Sequence, residues 1–478
     1  MQADKLEPIS EEELARAMPK RRVGFKVWAV VSFVVFVAGP LVAYLSWVAS
    51  AQHRFEQRLN VLGDMGVPVT AGDIDAMYVV PDDSIDSTPL YVKAMSVLSS
   101  EVFESDAEDV YGVGRRLGTP PSPTSDWSGL SEAKRLLEKY KSVSRDLHLA
   151  ADQGGVAAYP LRFEDGFGTP LEHAQNLRLC VRFLALEAHV RAREGDAEGT
   201  TRAIVSALAA SRSLQAEPVI VSQMVYKALI EKNVETIQQL LPHVSFSDSQ
   251  LARLQASLQS FNVRSGLRNA FKGEQAMLLI ALRDGDREQL AFAGFEGQRL
   301  MEAWVLSKLG SRFDDVLLLT ECQQQFLEAV EKSWPEAMNE VQHVADETNT
   351  ATEGPIRERQ FQLTRTCLHI PYTPAMPFAA AATAEAKLRM MDALLAAKRF
   401  HLARGQLPTE LEQLVPEFVE KVPQDPFSPQ DPIGFQSHSN RLEVSSVGLE
   451  GSVASDLAGR TELDIKDTGE IRMSVTVE

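Results

Sequence analysis

Residues 27–51 read VWAVVSFVVFVAGPLVAYLSWVASA, without one charged side chain. As a helix rising 1.5 Å per residue, this run reaches about 37 Å, enough to cross a hydrocarbon layer of about 30 Å with some tilt. Lys20, Arg21, Arg22 and Lys26 stand just before it. Basic flanks stay on the cytoplasmic side of a span. The sequence therefore predicts a single-pass anchor in the inner (cytoplasmic) membrane, with the N-terminus in the cytoplasm and the bulk of the chain extracytoplasmic. The expected anchor residues are Val27 and Trp28 at one end and Tyr44 and Trp47 at the other, where aromatic rings suit the interface. Pro40 is expected to disturb this helix without disqualifying it. The first partner is thus the lipid bilayer.

A competing reading comes from Ala49-Ser50-Ala51, which has the small-x-small form of a signal-peptidase site and would allow cleavage before Gln52. The run is much longer than the 7–15 apolar residues of a signal core, which favours an uncleaved anchor.

With 478 residues and 44% apolar content, the chain can build a real core over two or three domains. Only 7% of it is aromatic. Together with many Ala, Leu, Glu and Gln residues, this favours helices over a sandwich or barrel. The formal net charge of -18 repels nucleic acid, so that class of partner is set aside. Cys180, Cys322 and Cys367 are too few for a disulfide scaffold, and their apolar helical settings predict buried free thiols, with one long-range disulfide as the alternative.

The expected architecture is mainly α: an N-terminal transmembrane helix, a large extracytoplasmic helical body, and a small C-terminal α+β domain with an antiparallel sheet. Its segments are a cytoplasmic tail (1–24), the anchor (25–51), a connecting region with loops and a helix (52–129), the body (130–376), and a C-terminal helix plus small β-sheet (377–478). Residues 63–89 read as irregular, followed by a helix around 89–103. One helix is predicted over 131–152. The helix over 171–194 ends at Gly195, and Asp196 caps the next, over 197–215. This Ala-rich hairpin resembles a single tetratricopeptide-type unit, although no 34-residue recurrence is present. Further helices are predicted at 217–241, 248–262, 266–283, 296–309, 312–343, 355–368 and 377–404, with Ser247 and Thr383 among their caps. The last has its apolar side on Leu388, Met391, Leu395 and Phe400. Gly405 and Pro408 end it, and Thr409 caps a short helix over 410–415. Strands are predicted at 434–437, 442–447, 462–465 and 470–477 from alternating apolar residues.

The C-terminal pattern is distinctive. Gly405, Pro408, Leu411, Leu414, Pro423, Asp425, Pro426, Phe427, Phe435, Ser446, Gly448 and Gly451 follow a long helix in an order that resembles the C-terminal region of the type II secretion major pseudopilin. The likeness covers residues 380–455. The whole layout also resembles large single-anchor envelope proteins of planctomycete-type bacteria, a likeness that supplies an architecture and not a mechanism. The resemblance implies a small sheet on a helix and, in the loop after the Ser-x-Gly motif, calcium held by carboxylates; the candidates here are Glu450 and Asp456. Arg22-Val23-Gly24-Phe25 is similar to a prepilin leader junction, but Ala29 stands where that family carries Glu, and Lys26 where it carries an uncharged polar residue.

Motifs of known chemistry are sparse. Ser131 and Lys134 have the Ser-x-x-Lys spacing of penicillin-binding enzymes but lack the companion motifs and read as a helix start. Gly112 and Gly114 lack the third glycine of a nucleotide loop. The nine histidines are scattered. His173 and His189 share a predicted helix at a spacing too long for one site, and each is expected to be exposed or hydrogen-bonded. Asp82, Asp83, Asp86, Glu104, Asp106, Glu108 and Asp109 read as solvated surface. The function expected is a membrane-anchored, non-catalytic scaffold with envelope protein partners and no cofactor beyond calcium. The alternatives are a component of a type II secretion or pilus-like apparatus, and an envelope enzyme whose site is assembled from distant residues.

Overall fold

The apolar run folds into α1 (Phe25–Phe33), one π-helical turn (Val34–Ala38) and α2 (Gly39–Asp64). Pro40 has no N–H and its ring crowds the preceding turn, so the ladder widens just before it instead of closing an ordinary hydrogen bond. From Val27 to Asp64 the helix is continuous, and its most apolar window is not buried at all. It is long and apolar enough to cross a membrane. Here α2 continues beyond the apolar run and buries Ala51, Phe55 and Leu62 in the protein core.

The computed structural model describes residues 24–114, 118–284, 312–352, 375–451 and 469–476. Cys367, Asp456, the predicted tail over 1–23, the predicted helices at 296–309 and 355–368 and the predicted strand at 462–465 lie outside these residues. The chain is mainly helical, with small antiparallel sheets near its C-terminus. After α2 come α3 (Ala71–Met77), α4 (Thr88–Leu98), α5 (Glu101–Ala107), α6 (Leu130–Lys139), α7 (Lys141–Asp152), α8 (Glu172–Arg193), α9 (Ala197–Arg212), α10 (Ile220–Leu240), α11 (Asp248–Gln259), α12 (Val263–Asp284), α13 (Arg312–Ala329), α14 (Trp334–Thr352) and α15 (Ala375–Arg404).

Several ends obey local chemistry read from sequence. Gly195 takes φ +73° after α8, and the Asp196 carboxylate accepts from Gly199 N at 2.8 Å to start α9. Ser247 and Gln250 form a reciprocal capping box on α11.

Other expectations fail for tertiary reasons. The helix predicted over 131–152 is two, because Tyr140 leaves helical geometry, buries its ring edge-on to Phe103 and hydrogen-bonds Asp106 at 2.6 Å. The segment at 63–89 holds α3, started by a capping box between Thr70 and Asp73. The helix predicted around 89–103 breaks between α4 and α5, where Ser100 caps α5. The one predicted at 312–343 breaks between α13 and α14, where the Ser333 hydroxyl donates to Glu336 at 2.6 Å. Thr383 is no cap: it lies inside α15 and donates back to the Ala379 carbonyl. Thr409 caps nothing with its side chain. Gln413 instead accepts from its N–H, and only a 3₁₀ turn (Leu411–Leu414) follows.

Among the described residues the larger hydrophobic cluster runs from Ala51 to Val475, and a smaller one gathers Ile74, Tyr78, Phe163, Val219, Ala276 and Met277. The most extensive pairing among the described residues joins α8 and α9, while α15 packs against α10, α11 and α14. The last helix is buried around most of its circumference, not on one apolar stripe: Phe378, Ala382, Ala386, Met390, Leu394 and Ala397 are as inaccessible as Leu395, while Glu385, Arg389 and Asp392 are half-buried. Burying each large side chain there contributes about 1.5–3 kcal/mol. After it, β1 (Gln424–Asp425) pairs with β2 (Ser428–Pro432), and β3 (Gly434–Ser437), β4 (Arg441–Ser446) and β5 (Ile471–Thr476) form an antiparallel sheet in that order. Leu442 and Val444 face Val475 and Met473 in register, and this buried face packs on α15. Gln238 of α10 donates to the Ser474 carbonyl at 3.3 Å, tying β5 to the helical body.

Candidate functional site

A cleft of about 680 Å³ lies where α6 and α7 face α8 and the start of α9. The α8–α9 hairpin builds one wall. A Cβ on Gly199 would stand 2.2 Å from Asp196 Oδ2 and 3.1 Å from Arg191 Cδ, so a larger residue there would displace the carboxylate that caps α9. The rim is ionic and self-paired. Lys134 meets Glu194 at 2.9 Å, and Arg191 lies 3.6 Å from Glu194 and 3.8 Å from Asp196. These are solvated pairs that contribute little stability individually.

At the base, His148 Nδ1 and Ser206 Oγ share a hydrogen bond of 2.8 Å, and His148 Nε2 lies 3.4 Å from Glu187 Oε1. Glu187 is only 6% exposed, and its Oε2 makes no hydrogen bond among the described residues. Burial pushes this carboxyl up, but His148, the nearby Ser144 hydroxyl and Arg191 outweigh it and hold the group below its ordinary value. The base of the cleft thus carries a desolvated carboxylate whose Oε2 is shielded from solvent. The Ser206–His148–Glu187 string has the composition of a nucleophilic relay. Its hydroxyl is 1% exposed beneath the imidazole, so a substrate carbonyl has no approach to it.

A second polar cluster lies deeper. Glu217, fully buried, accepts from Tyr78 Oη at 3.2 Å and from Ser222, and shares a 2.8 Å bond with His173. Tyr159 N donates to Tyr78 Oη, and burial pushes both tyrosine hydroxyls well above their usual range. Every polar group named here has a partner, so the cluster staples α3, α8 and α10 together.

The residues singled out in sequence divide clearly. Val27, Trp28, Pro40 and Tyr44 are exposed on the apolar helix, and the Trp47 ring lies tilted 6.0 Å from that of Tyr44. In the C-terminal unit Asp425, Phe427, Ser446 and Gly448 come together. Asp425 accepts from Phe427 N, Ser446 Oγ and Val447 N at 2.7–2.9 Å. Gly448 turns the chain at φ +69°, and Gly451 lies against Val447. Gly405 takes φ +70° at the end of α15, and Pro408 and Pro426 are buried. Glu450 is exposed just after β4. Among the described residues no group of three His, Cys, Asp or Glu side chains could hold a metal ion. Cys180 is a buried free thiol, and Cys322 is buried. His173 is hydrogen-bonded as expected, whereas His189 is 1% exposed with no partner on either ring nitrogen among the described residues. Sequence reasoning missed the His148–Glu187–Ser206 base, whose members come from three helices with no motif joining them.

No protein-family model, no curated protein and no solved structure matches this chain.

Proposed function

We propose that this protein is a membrane-anchored recognition protein of the cell envelope, its helical body extracytoplasmic and its α6–α9 cleft the place where a partner protein docks. The observation that carries this reading is the continuity of the apolar helix with the folded body. Ala51, Phe55 and Leu62 of α2 belong to the core, and Phe55 packs 5.5 Å from Phe313 of α13. A span continuous with the body holds the cleft at a fixed distance from the bilayer. The mixed-charge rim favours a polar protein segment, and the basic flank before Val27 supports an inside N-terminus.

The test has two arms. In right-side-out spheroplasts, added protease is expected to degrade the body, whereas inverted vesicles should protect it; the opposite pattern overturns the topology. A photo-crosslinking residue at Lys141, on the cleft, is expected to give one discrete membrane adduct that the same residue at Ser96, on α4, does not. Equal adducts at both positions, or none, would overturn the docking role.

A second reading rests on the C-terminal unit. A long helix, a 3₁₀ turn, an Asp-Pro-Phe turn and an antiparallel sheet packed on that helix support the pseudopilin-like resemblance, and with it a place in a secretion or pilus-like assembly. That reading expects cleavage after Gly24. An intact N-terminus by mass spectrometry sinks it.

A further inference from the structure

Arg178 and Arg182 stand one turn apart on α8 and face a separate cleft of about 410 Å³ between α8, α10 and α15. Neither guanidinium has a hydrogen bond or ion pair among the described residues, and Arg178 Nε is shielded from solvent without an acceptor. The two carboxylates on the opposite wall are already engaged. Glu231 takes Lys387 at 2.7 Å and Lys227 at 2.9 Å. Glu235 takes Thr119 Oγ1 at 2.7 Å, Lys232 at 3.1 Å and Gln239 at 3.1 Å.

Within the cleft Arg178, Arg182, Lys232 and Lys387 oppose Glu231 and Glu235, four cations against two anions, which leaves two positive charges uncompensated. The chain as a whole carries -18. A concentrated positive site on such a chain therefore does not follow from composition. Like charges at (i, i+4) on a helix destabilise it, and partial burial adds to the cost, which is why burial and Arg182 together hold Arg178 below its ordinary basicity. A fold keeps such a pair at a cost to its own stability. The fork of a guanidinium fits one class of partner best, an oxyanion bound through two parallel N–H groups. The volume falls within the roughly 300–1,000 Å³ of small-molecule sites.

We propose that the α8–α10–α15 cleft binds the phosphate or carboxylate group of a small anionic ligand, gripped by Arg178 and Arg182 with Lys232 and Lys387 completing the positive wall. This site is distinct from the docking cleft and does not depend on it.

The experiment uses the full chain in detergent micelles. Thermal midpoints are compared in sodium phosphate, sodium succinate and sodium chloride at matched ionic strength. Phosphate or succinate is expected to raise the midpoint by at least about 2 °C over chloride, and the larger increment names the preferred group. Arg178→Gln with Arg182→Gln should abolish the increment, while Arg135→Gln on the exposed face of α6 should keep it. In chloride alone the double variant should melt no lower than wild type, because it loses a repulsive pair and no partner. No increment with either anion, an increment that the double variant retains, or a double variant that melts well below wild type in chloride would each overturn the proposal.

Discussion

Ser446 Oγ donates to the Asp425 carboxylate at 2.7 Å across 21 positions of sequence, and joins the end of β1 to the end of β4. The other carboxylate oxygen takes the Val447 amide at 2.8 Å, and Phe427 N completes the set. At 2% exposure the aspartate has no water to replace these donors. Asp425→Asn turns an NH₂ towards a donor and is expected to cost roughly 1–3 kcal/mol; Asp425→Ala should cost more, and Ser446→Ala about 1 kcal/mol. The urea midpoint and the exchange rates of the Phe427 and Val447 amides check this. Unchanged exchange in Asp425→Ala would mean that the clasp does not hold the sheet.

Gly273 of α12 is a packing glycine. A Cβ there would lie 1.9 Å from the Pro218 carbonyl oxygen and 2.8 Å from Pro218 Cβ, backbone and ring atoms that cannot swing aside. Gly273→Ala is therefore expected to lower stability by about 1–3 kcal/mol even though alanine favours helices. Gly63→Ala is the control, since its site is open on α2. A thermal scan in which Gly273→Ala matches that control would refute the close approach.

The helices that were legible in sequence are those whose ends are written locally. Gly195 with Asp196, and Ser247 with Gln250, announce a stop and a start through groups within four residues. Ser333-Trp334-Pro335-Glu336 carries the same kind of signal and went unread inside a long helical pattern. The break at Tyr140 could not be read at all, because its cause is a contact with Asp106 and Phe103 from another helix. The clasp residues Asp425 and Ser446 were named from a motif, but their hydrogen bond required the register of β4. Neither cleft was visible: Arg178 and Arg182 look like an ordinary solvated helix face until α10 and α15 close over them.

The apolar helix presents Phe36 at 77% exposure near the middle of its uncharged run. A membrane-spanning role expects lipid around that ring. Phe36→Arg with Val37→Arg places two charges at mid-span, each costing about 2.5–3.5 kcal/mol on insertion scales. Wild type should remain in the pellet after alkaline carbonate extraction, and the double variant should move to the supernatant. Equal retention of both would mean that the helix is not held by lipid.

His189 and Glu274 give stability opposite pH slopes. Burial, with Lys232 and Arg193 beside it, outweighs Glu235 and pushes His189 down to about 4 from 6.5. The unfolded chain therefore binds this proton first. Its contribution is fully present above pH 6.5 and is lost as pH falls towards 4. Burial pushes Glu274 up to about 7 from 4.5, against the Ile220 amide that donates to it at 3.0 Å. Its folded form holds the proton longer, so stability is greatest below pH 4.5 and falls as pH rises to 7. His189→Leu should relieve about 2 kcal/mol at pH 5 relative to pH 7.5, flattening the acid limb. Glu274→Gln keeps an acceptor for Ile220 and should gain roughly 1–3 kcal/mol at pH 8 with little change at pH 4.5. Urea midpoints at pH 4.5, 5, 7.5 and 8 separate the two. A His189→Leu gain that does not grow on acidification would show that the imidazole is not held neutral, and an Glu274→Gln gain that is equal at pH 4.5 and 8 would place its origin in packing, not in ionisation.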